Sequence, residues 1–268
     1  MKKVGFVGWR GMVGSVLVDR MKEEDNFSNI NASFFTTSQV GMKAPEIING
    51  EEILLDAHSI KELSKMDIIL SCQGGDYTKK VYASLKKDNW GGHWIDAAST
   101  LRMANESVIV LDPINESSIN TALKNGLRTW VGGNCTVSLM LLAIHGLIKE
   151  GAIEWVSSMT YQAASGAGAK NMKELLVQMG QLHSSAEPEM KKINFNILDI
   201  DKIVLNKMRS SDFSKENFQV PLAGNLIPWI DQDLGKGLSK EEWKGQFETN
   251  KILMNNYEKI NVDGLCTR

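Results

Sequence analysis

The 268-residue sequence has little of what marks a secreted, metal-bound or disordered chain. Its three cysteines, Cys72, Cys135 and Cys266, are odd in number and far apart, which suits neither a disulfide framework nor a zinc site. Five prolines and no biased tract give no sign of a linker or disordered segment. The four histidines, His58, His93, His145 and His183, have no carboxylate or cysteine at informative spacing; they read as structural, and no metal is expected. A net charge of -2 gives no reason to expect nucleic acid or anionic lipid as partner. No apolar run has the length of a membrane span. Behind Met1-Lys2-Lys3 the glycines 8, 11 and 14 and Arg10 interrupt what would be a signal peptide's apolar stretch. The expectation is a cytoplasmic globular chain with reduced thiols, built as one large domain or two ordinary ones.

The first half has a βα rhythm. Val4-Gly5-Phe6-Val7 is a short buried strand, followed by Gly8-Trp9-Arg10-Gly11-Met12-Val13-Gly14 and an amphipathic helix to about residue 24. Strand, glycine turn and helix at this position form the phosphate-cradling opening of a dinucleotide fold. The spacing is G-x-x-G-x-x-G, so context carries the reading more than the triplet does. A second strand ends in Thr37-Ser38-Gln39, where an NAD enzyme places a carboxylate for the ribose 2′-hydroxyl. Its absence, with Arg10 in the glycine loop, favours a 2′-phosphate and hence NADP; the alternative is that Thr37 and Ser38 only make a turn.

Further strands are predicted over 67–71, 93–96, 108–111 and 127–131, with helices over 77–85, capped by Asp76, and 116–124. This alternation predicts a doubly wound parallel sheet, with Gln73-Gly74-Gly75 and Arg102 at the ligand-bearing strand ends.

At Val131-Gly132-Gly133-Asn134-Cys135-Thr136 two glycines end a strand, and a lone cysteine stands where a helix begins. Asn134 is a good N-cap, and residues 137–148 are almost unbroken apolar residues, which predicts a helix buried on all sides. Its N-terminus would bring Cys135 to an interior cleft, where free N–H groups and the helix dipole favour a thiolate nucleophile. The alternative is a small buried structural cysteine. The domain boundary is placed here, giving 1–133 and 134–268.

In the second half a long strand is predicted over 153–163, with Ile153, Trp155, Met159 and Tyr161 on one face and Gln162 on the more polar one. The small-residue loop Ser165-Gly166-Ala167-Gly168-Ala169 opens a helix with an apolar stripe of Met172, Leu175, Leu176, Met179 and Leu182. Ser239 and Glu242 form a capping box for a helix to about residue 253. On it Glu241, Lys244, Glu248 and Lys251 read as an ion-pair ladder on a solvated face. Residues 260–268 read as a strand.

Taken together, Gly132-Gly133-Asn134-Cys135-Thr136 and the glycine turn 8–14 give a sequence that resembles bacterial-type aspartate-semialdehyde dehydrogenase. The likeness takes in Thr36-Thr37-Ser38-Gln39, Ser71-Cys72-Gln73-Gly74-Gly75-Asp76-Tyr77, Tyr161-Gln162-Ala163-Ala164-Ser165-Gly166, Pro221-Leu222-Ala223-Gly224, Glu241-Glu242-Trp243-Lys244-Gly245-Gln246 and Val262-Asp263-Gly264-Leu265. It implies an α/β fold: a Rossmann-type dinucleotide-binding domain and an α+β catalytic and dimerisation domain like that of glyceraldehyde-3-phosphate dehydrogenase, here incomplete. It implies an oxidoreductase that reduces L-aspartyl-4-phosphate to L-aspartate-4-semialdehyde with NADPH, for lysine, threonine, methionine and diaminopimelate biosynthesis, as a cytoplasmic homodimer.

Carried over by residue, Cys135 is the nucleophile and Gln162 orients the substrate. Arg268 takes the α-carboxylate and Glu241 the α-amine. Arg102 and Lys244 hold phosphate. Gly8, Arg10, Gly11, Met12, Val13, Thr37, Ser38, Gln73 and Ser165, Gly166, Ala167, Gly168 and Ala169 hold NADP. For Glu241 and Lys244 the resemblance replaces the solvated-face reading. The family's general acid/base histidine follows the equivalent of Arg268, past the end of this sequence, so the chain alone is expected to be impaired. N-acetyl-glutamyl-phosphate reductase shares fold and cysteine, but the Glu241/Lys244 motif argues against it. The alternative from another class is an impaired fragment or paralogue that retains NADP binding.

Overall fold

The computed structural model describes residues 1–254 and 256–268, which form two compact units. The first comprises Met1–Val156 and Lys244–Val262, the second Ser157–Trp243 and Asp263–Arg268.

The first unit alternates strand and helix: β1 (Lys2–Val7), α1 (Met12–Glu23), β2 (Ile30–Thr36), β3 (Leu55–Asp56), α2 (Ile60–Leu63), β4 (Ile68–Ser71), α3 (Gly75–Lys87), β5 (His93–Asp96), β6 (Val108–Val110), α4 (Glu116–Lys124), β7 (Thr129–Gly132) and α5 (Cys135–Lys149). The strands form one parallel sheet in the order β3-β2-β1-β4-β5-β7-β6. This is the doubly wound sheet that the βα rhythm predicts. Both faces are covered, as a parallel sheet requires. On one side Phe6 stacks on Phe34 at 5.1 Å, beside Val4, Val18 and Phe27. On the other, Val7, Phe35, Ile69 and Trp94 meet Tyr77, Val81 and Leu85 of α3. Strand order reverses between β1 and β4, so their carboxyl ends frame the crevice where such sheets take ligands.

Two local expectations change. Asp76 does not cap α3; Gly74 does, at φ +100°, and Asp76 lies in the first turn, where its charge suits the helix dipole. Nor is α5 buried all round. Val137, Leu141 and Ile148 pack with Ile109, Ile114, Ile252 and Leu253, while Leu139, Leu142 and Leu147 on its other side are exposed. That packing groups α5 with the first unit.

The second unit holds α6 (Ala169–Met190), α7 (Ile197–Arg209), and most of β8 (Trp155–Tyr161) and β9 (Asn261–Thr267). Helix α8 (Lys240–Leu253) begins in it and continues into the first unit. Strands β8 and β9 pair so closely that a Cβ on Gly264 would lie 2.0 Å from the Ser158 carbonyl oxygen, so only glycine fits there. The apolar side of β8, with Trp155, Met159 and Tyr161, is exposed.

Helix α6 is also rotated away from the centre of its apolar stripe, of which only Leu175 and Leu182 are half-buried. Its buried residues are Glu174, Gln178 and Ala186, while Leu176 and Met179 face out. The reason is backbone satisfaction. Glu174 accepts from the N–H groups of Asn217 (2.6 Å) and Phe218 (3.0 Å), and Gln178 from those of Leu222 (2.8 Å) and Ala223 (2.9 Å). A loop buried against a helix needs such acceptors. Helix α7 was not anticipated. The capping box forms as expected: Ser239 N–H donates to Glu242 (2.8 Å), and Glu242 N–H to the Ser239 hydroxyl (3.2 Å). No helix of the described residues is long and apolar enough to cross a membrane.

Leu141 is fully buried. Leu141→Ala is therefore expected to lower unfolding stability by about 2–5 kcal/mol in urea denaturation; a loss below about 1 kcal/mol would contradict this packing of α5.

Candidate active site

In the first unit the glycine turn is built for a close neighbour. Gly8 has φ +73°, and a Cβ there would lie 2.5 Å from the Cys72 carbonyl carbon. The loops after β1 and β4 thus touch backbone to backbone, with no side chain between. Gly11, Met12 and Val13 leave the start of α1 exposed, the arrangement that takes a pyrophosphate in dinucleotide folds. Arg10 lies 5.3 Å from the centre of the Trp9 ring. It donates to the Thr36 hydroxyl (3.0 Å) and to the Gln39 side chain. Thr37 and Ser38 are exposed beside it, as is Gln73 after β4. The hydroxyl that anchors Arg10 is therefore the buried Thr36, which also accepts from Ser38 N–H (3.3 Å). Sequence reasoning did not single out Thr36, which lies within β2.

Cys135 is the first residue of α5 and is exposed. The Asn134 side chain caps the helix as predicted, accepting from the N–H groups of Thr136 (3.0 Å) and Val137 (3.2 Å). Arg102 is buried. Its Nε donates to the Gly132 carbonyl (2.7 Å), one Nη to Glu248 (3.1 Å) and the other to the Ala97 carbonyl (3.4 Å). Asp96, also buried, holds the start of that loop, accepting from Ala98 N–H (2.8 Å) and the Thr78 hydroxyl (2.6 Å). Burial raises its carboxyl above the usual range, although these bonds oppose the shift.

The solvated ladder on α8 is also corrected. Glu248 is 2% exposed and faces Arg102. Lys251 is half-buried and donates to the Ala104 carbonyl (2.6 Å) and the Ser107 hydroxyl (3.1 Å). Lys244 is half-buried, one helical turn before Glu248.

In the second unit Gln162, Glu241 and Arg268 come together. The Gln162 amide donates to Glu241 (3.2 Å), which is itself buried. Gln162 N–H pairs with the Thr267 carbonyl (2.7 Å), and Arg268 exchanges backbone bonds with Ile227 (2.9 and 2.6 Å). Arg268 Nε donates to the Ala163 carbonyl (3.3 Å). Gln162 and Arg268 line one groove, about 680 Å³, with Ala164 and Leu222–Leu226. Of the small-residue loop, Ser165, Gly166 and Ala167 form a single 3-10 turn. Gly168 follows at φ +98°, and Ala169 begins α6. The larger concavity of the first unit, about 1360 Å³ and lined by Trp90, Ser107, Thr121 and Lys251, includes neither Cys135 nor the glycine turn.

The three thiols differ. Burial, reinforced by the Asp96 charge, pushes Cys72 up to about 11, and burial likewise raises Cys266. A neutral thiol does not attack. Iodoacetamide at about pH 8 is therefore expected to label Cys135 first. Peptide mass mapping that found Cys72 labelled before Cys135 would overturn this ordering.

The family model for the semialdehyde dehydrogenase NAD binding domain matches residues 3–122. That for the semialdehyde dehydrogenase dimerisation domain matches residues 144–268. The chain is similar to the aspartate semialdehyde dehydrogenase from Francisella tularensis, at 49% identity and TM-score 0.93, over all of this chain and 72% of that one. It shares its fold with aspartate semialdehyde dehydrogenase II from Vibrio cholerae, at 23% identity and TM-score 0.74, over all of this chain and 70% of that one. The same holds for an aspartate semialdehyde dehydrogenase with NADP from Candida albicans, at 16% identity and TM-score 0.59, over all of this chain and 67% of that one. With a dinucleotide cradle, a cysteine at a helix head and identity of this order along its whole length, the chain belongs to the aspartate-semialdehyde dehydrogenase family.

Proposed function

We propose that the chain reduces L-aspartyl-4-phosphate to L-aspartate-4-semialdehyde with NADPH, and runs the reverse, through a thioester on Cys135. The observation that carries this reading is Cys135, exposed as the first residue of α5. A neighbouring Asn cap and a strand end bound by Arg102 support it.

The Cys135 thiolate attacks the acyl carbon and the carbon–oxygen bond to phosphate breaks, so phosphate leaves with the electron pair. Arg102 and Lys244 supply positive charge for it. The backbone N–H of Cys135, at a helix start, suits a developing oxyanion. The cofactor, when bound, supplies hydride to the acyl carbon. Cys135 then departs as thiolate while the aldehyde forms. Arg268 takes the substrate α-carboxylate with a planar fork, Glu241 takes the α-amine, and Gln162 orients the substrate.

The glycine turn, with Gly8 where any Cβ would strike the next loop, fits a dinucleotide pyrophosphate. Gly8, Gly11, Met12, Val13, Thr37, Ser38 and Gln73 would hold the cofactor; by the family resemblance Ser165, Gly166, Ala167, Gly168 and Ala169 would contact it too. Arg10, on Thr36 and Gln39 where a carboxylate would reject phosphate, favours NADP over NAD. The exposed apolar residues Met159, Tyr161, Leu176 and Met179 fit a second copy of the chain in a homodimer. The reaction belongs to the cytoplasmic route to diaminopimelate, lysine, threonine and methionine.

With aspartate semialdehyde, phosphate and NADP⁺, NADPH formation is expected, and Cys135→Ala is expected to lower its rate by roughly 10⁴-fold or more. Equal rates in parent and variant would overturn the thioester mechanism. Arg10→Ala is expected to reduce the preference for NADP⁺ over NAD⁺ by about tenfold, the worth of one charge contact of about 1.4 kcal/mol.

A further inference from the structure

We propose that Glu248 is a positioning residue for Cys135. Its buried carboxylate bridges the Arg102 guanidinium and the backbone N–H of Asn134, and so fixes the turn that presents the thiol. The proposal rests on reading Cys135 as the nucleophile.

The geometry is a clamp on both ends of a two-glycine step. On one side Arg102 Nε holds the Gly132 carbonyl at 2.7 Å. On the other, Glu248 Oε2 accepts from Asn134 N–H at 2.8 Å. Glu248 Oε1 and Arg102 Nη1, 3.1 Å apart, join the two grips. The side chains are 10% and 2% exposed for Arg102 and Glu248, so solvent screens the pair little. Asn134 in turn caps the first turn of α5, where Cys135 sits. Glu248 thus acts on Cys135 through the backbone of its neighbour.

The residue type matters. Two donors face this carboxylate, and only two acceptor oxygens satisfy both. Glutamine has one carbonyl oxygen, so its NH₂ would meet either the guanidinium or the Asn134 N–H, donor against donor. Aspartate keeps both oxygens on a stem one carbon shorter. Stability alone does not call for the pair, since well-packed apolar residues of like volume stabilise a core as well as a buried ion pair or better. What an apolar pair cannot do is accept the Asn134 N–H or hold the Gly132 carbonyl.

The test is the alkylation rate of Cys135 by iodoacetamide in the full chain at neutral pH, read by peptide mass. The reagent is small and uncharged, so it bypasses the groups assigned to substrate. Glu248→Gln is expected to slow labelling of Cys135 about tenfold, as the thiol loses its ordered place at the helix head. Glu248→Asp should recover part of that rate. NADPH affinity should stay within about twofold of the parent, and kcat should fall more than KM for aspartate semialdehyde.

If Glu248→Gln unfolds, Cys72 and Cys266 will label as fast as Cys135. The double variant Arg102→Met/Glu248→Leu then replaces it, restoring an apolar core without the bridge. The same tenfold slowing is expected there. Labelling within twofold of the parent in a folded variant overturns the proposal. Tenfold slower labelling in Glu248→Gln, with no turnover of aspartate semialdehyde by the parent, would instead count against the proposed function and leave this inference standing.

Discussion

Strand β7 ends at Gly132 and helix α5 starts at Cys135, and the role proposed for Cys135 depends on that short reversal being rigid. Such a turn leaves helix N–H groups without intrahelical partners. Asn134 meets part of that need with its side chain. The turn is then fixed from outside by groups distant in sequence, Arg102 from the loop after β5 and Glu248 from α8. Local capping decides where the helix begins, and the buried pair adds a grip on the turn from elsewhere in the unit. The lining of the first unit's larger cavity includes none of these groups, so cavity size is a poor guide to function here.

The dinucleotide half follows the same logic with fewer charges. A parallel sheet covered on both faces leaves only its strand ends for chemistry. At β1 and β4 the backbones approach so closely that Gly8 admits no side chain. Arg10 stacks by Trp9 and is steadied by Thr36 and Gln39, a cation held at the end of β2.

Much of this was legible in the residues. The glycine turn, the Asn134 cap, the Ser239–Glu242 box and the strand at 93–96 depend on neighbours in sequence, and local rules suffice for them. Three features escaped because they depend on distant partners. The all-apolar α5 reads as buried throughout, yet the unit covers only one side of it. The apolar stripe of α6 reads as its inner face, but the loop 217–223 needs acceptors, and Glu174 and Gln178 turn inward to supply them. Glu248 reads as one rung of a solvated ladder, since nothing near it in sequence announces Arg102, which lies 146 positions away.

The central claim is that substrate carbon is carried on the sulfur of Cys135. The most direct measurement is to incubate the chain with aspartate semialdehyde and NADP⁺ without phosphate, quench in acid, and map the adduct by peptide mass. The account predicts one aspartyl group in thioester linkage on Cys135, released when phosphate is added before the quench. An adduct on Cys72 or Cys266, or NADPH formed with Cys135 unmodified at every time sampled, would contradict it.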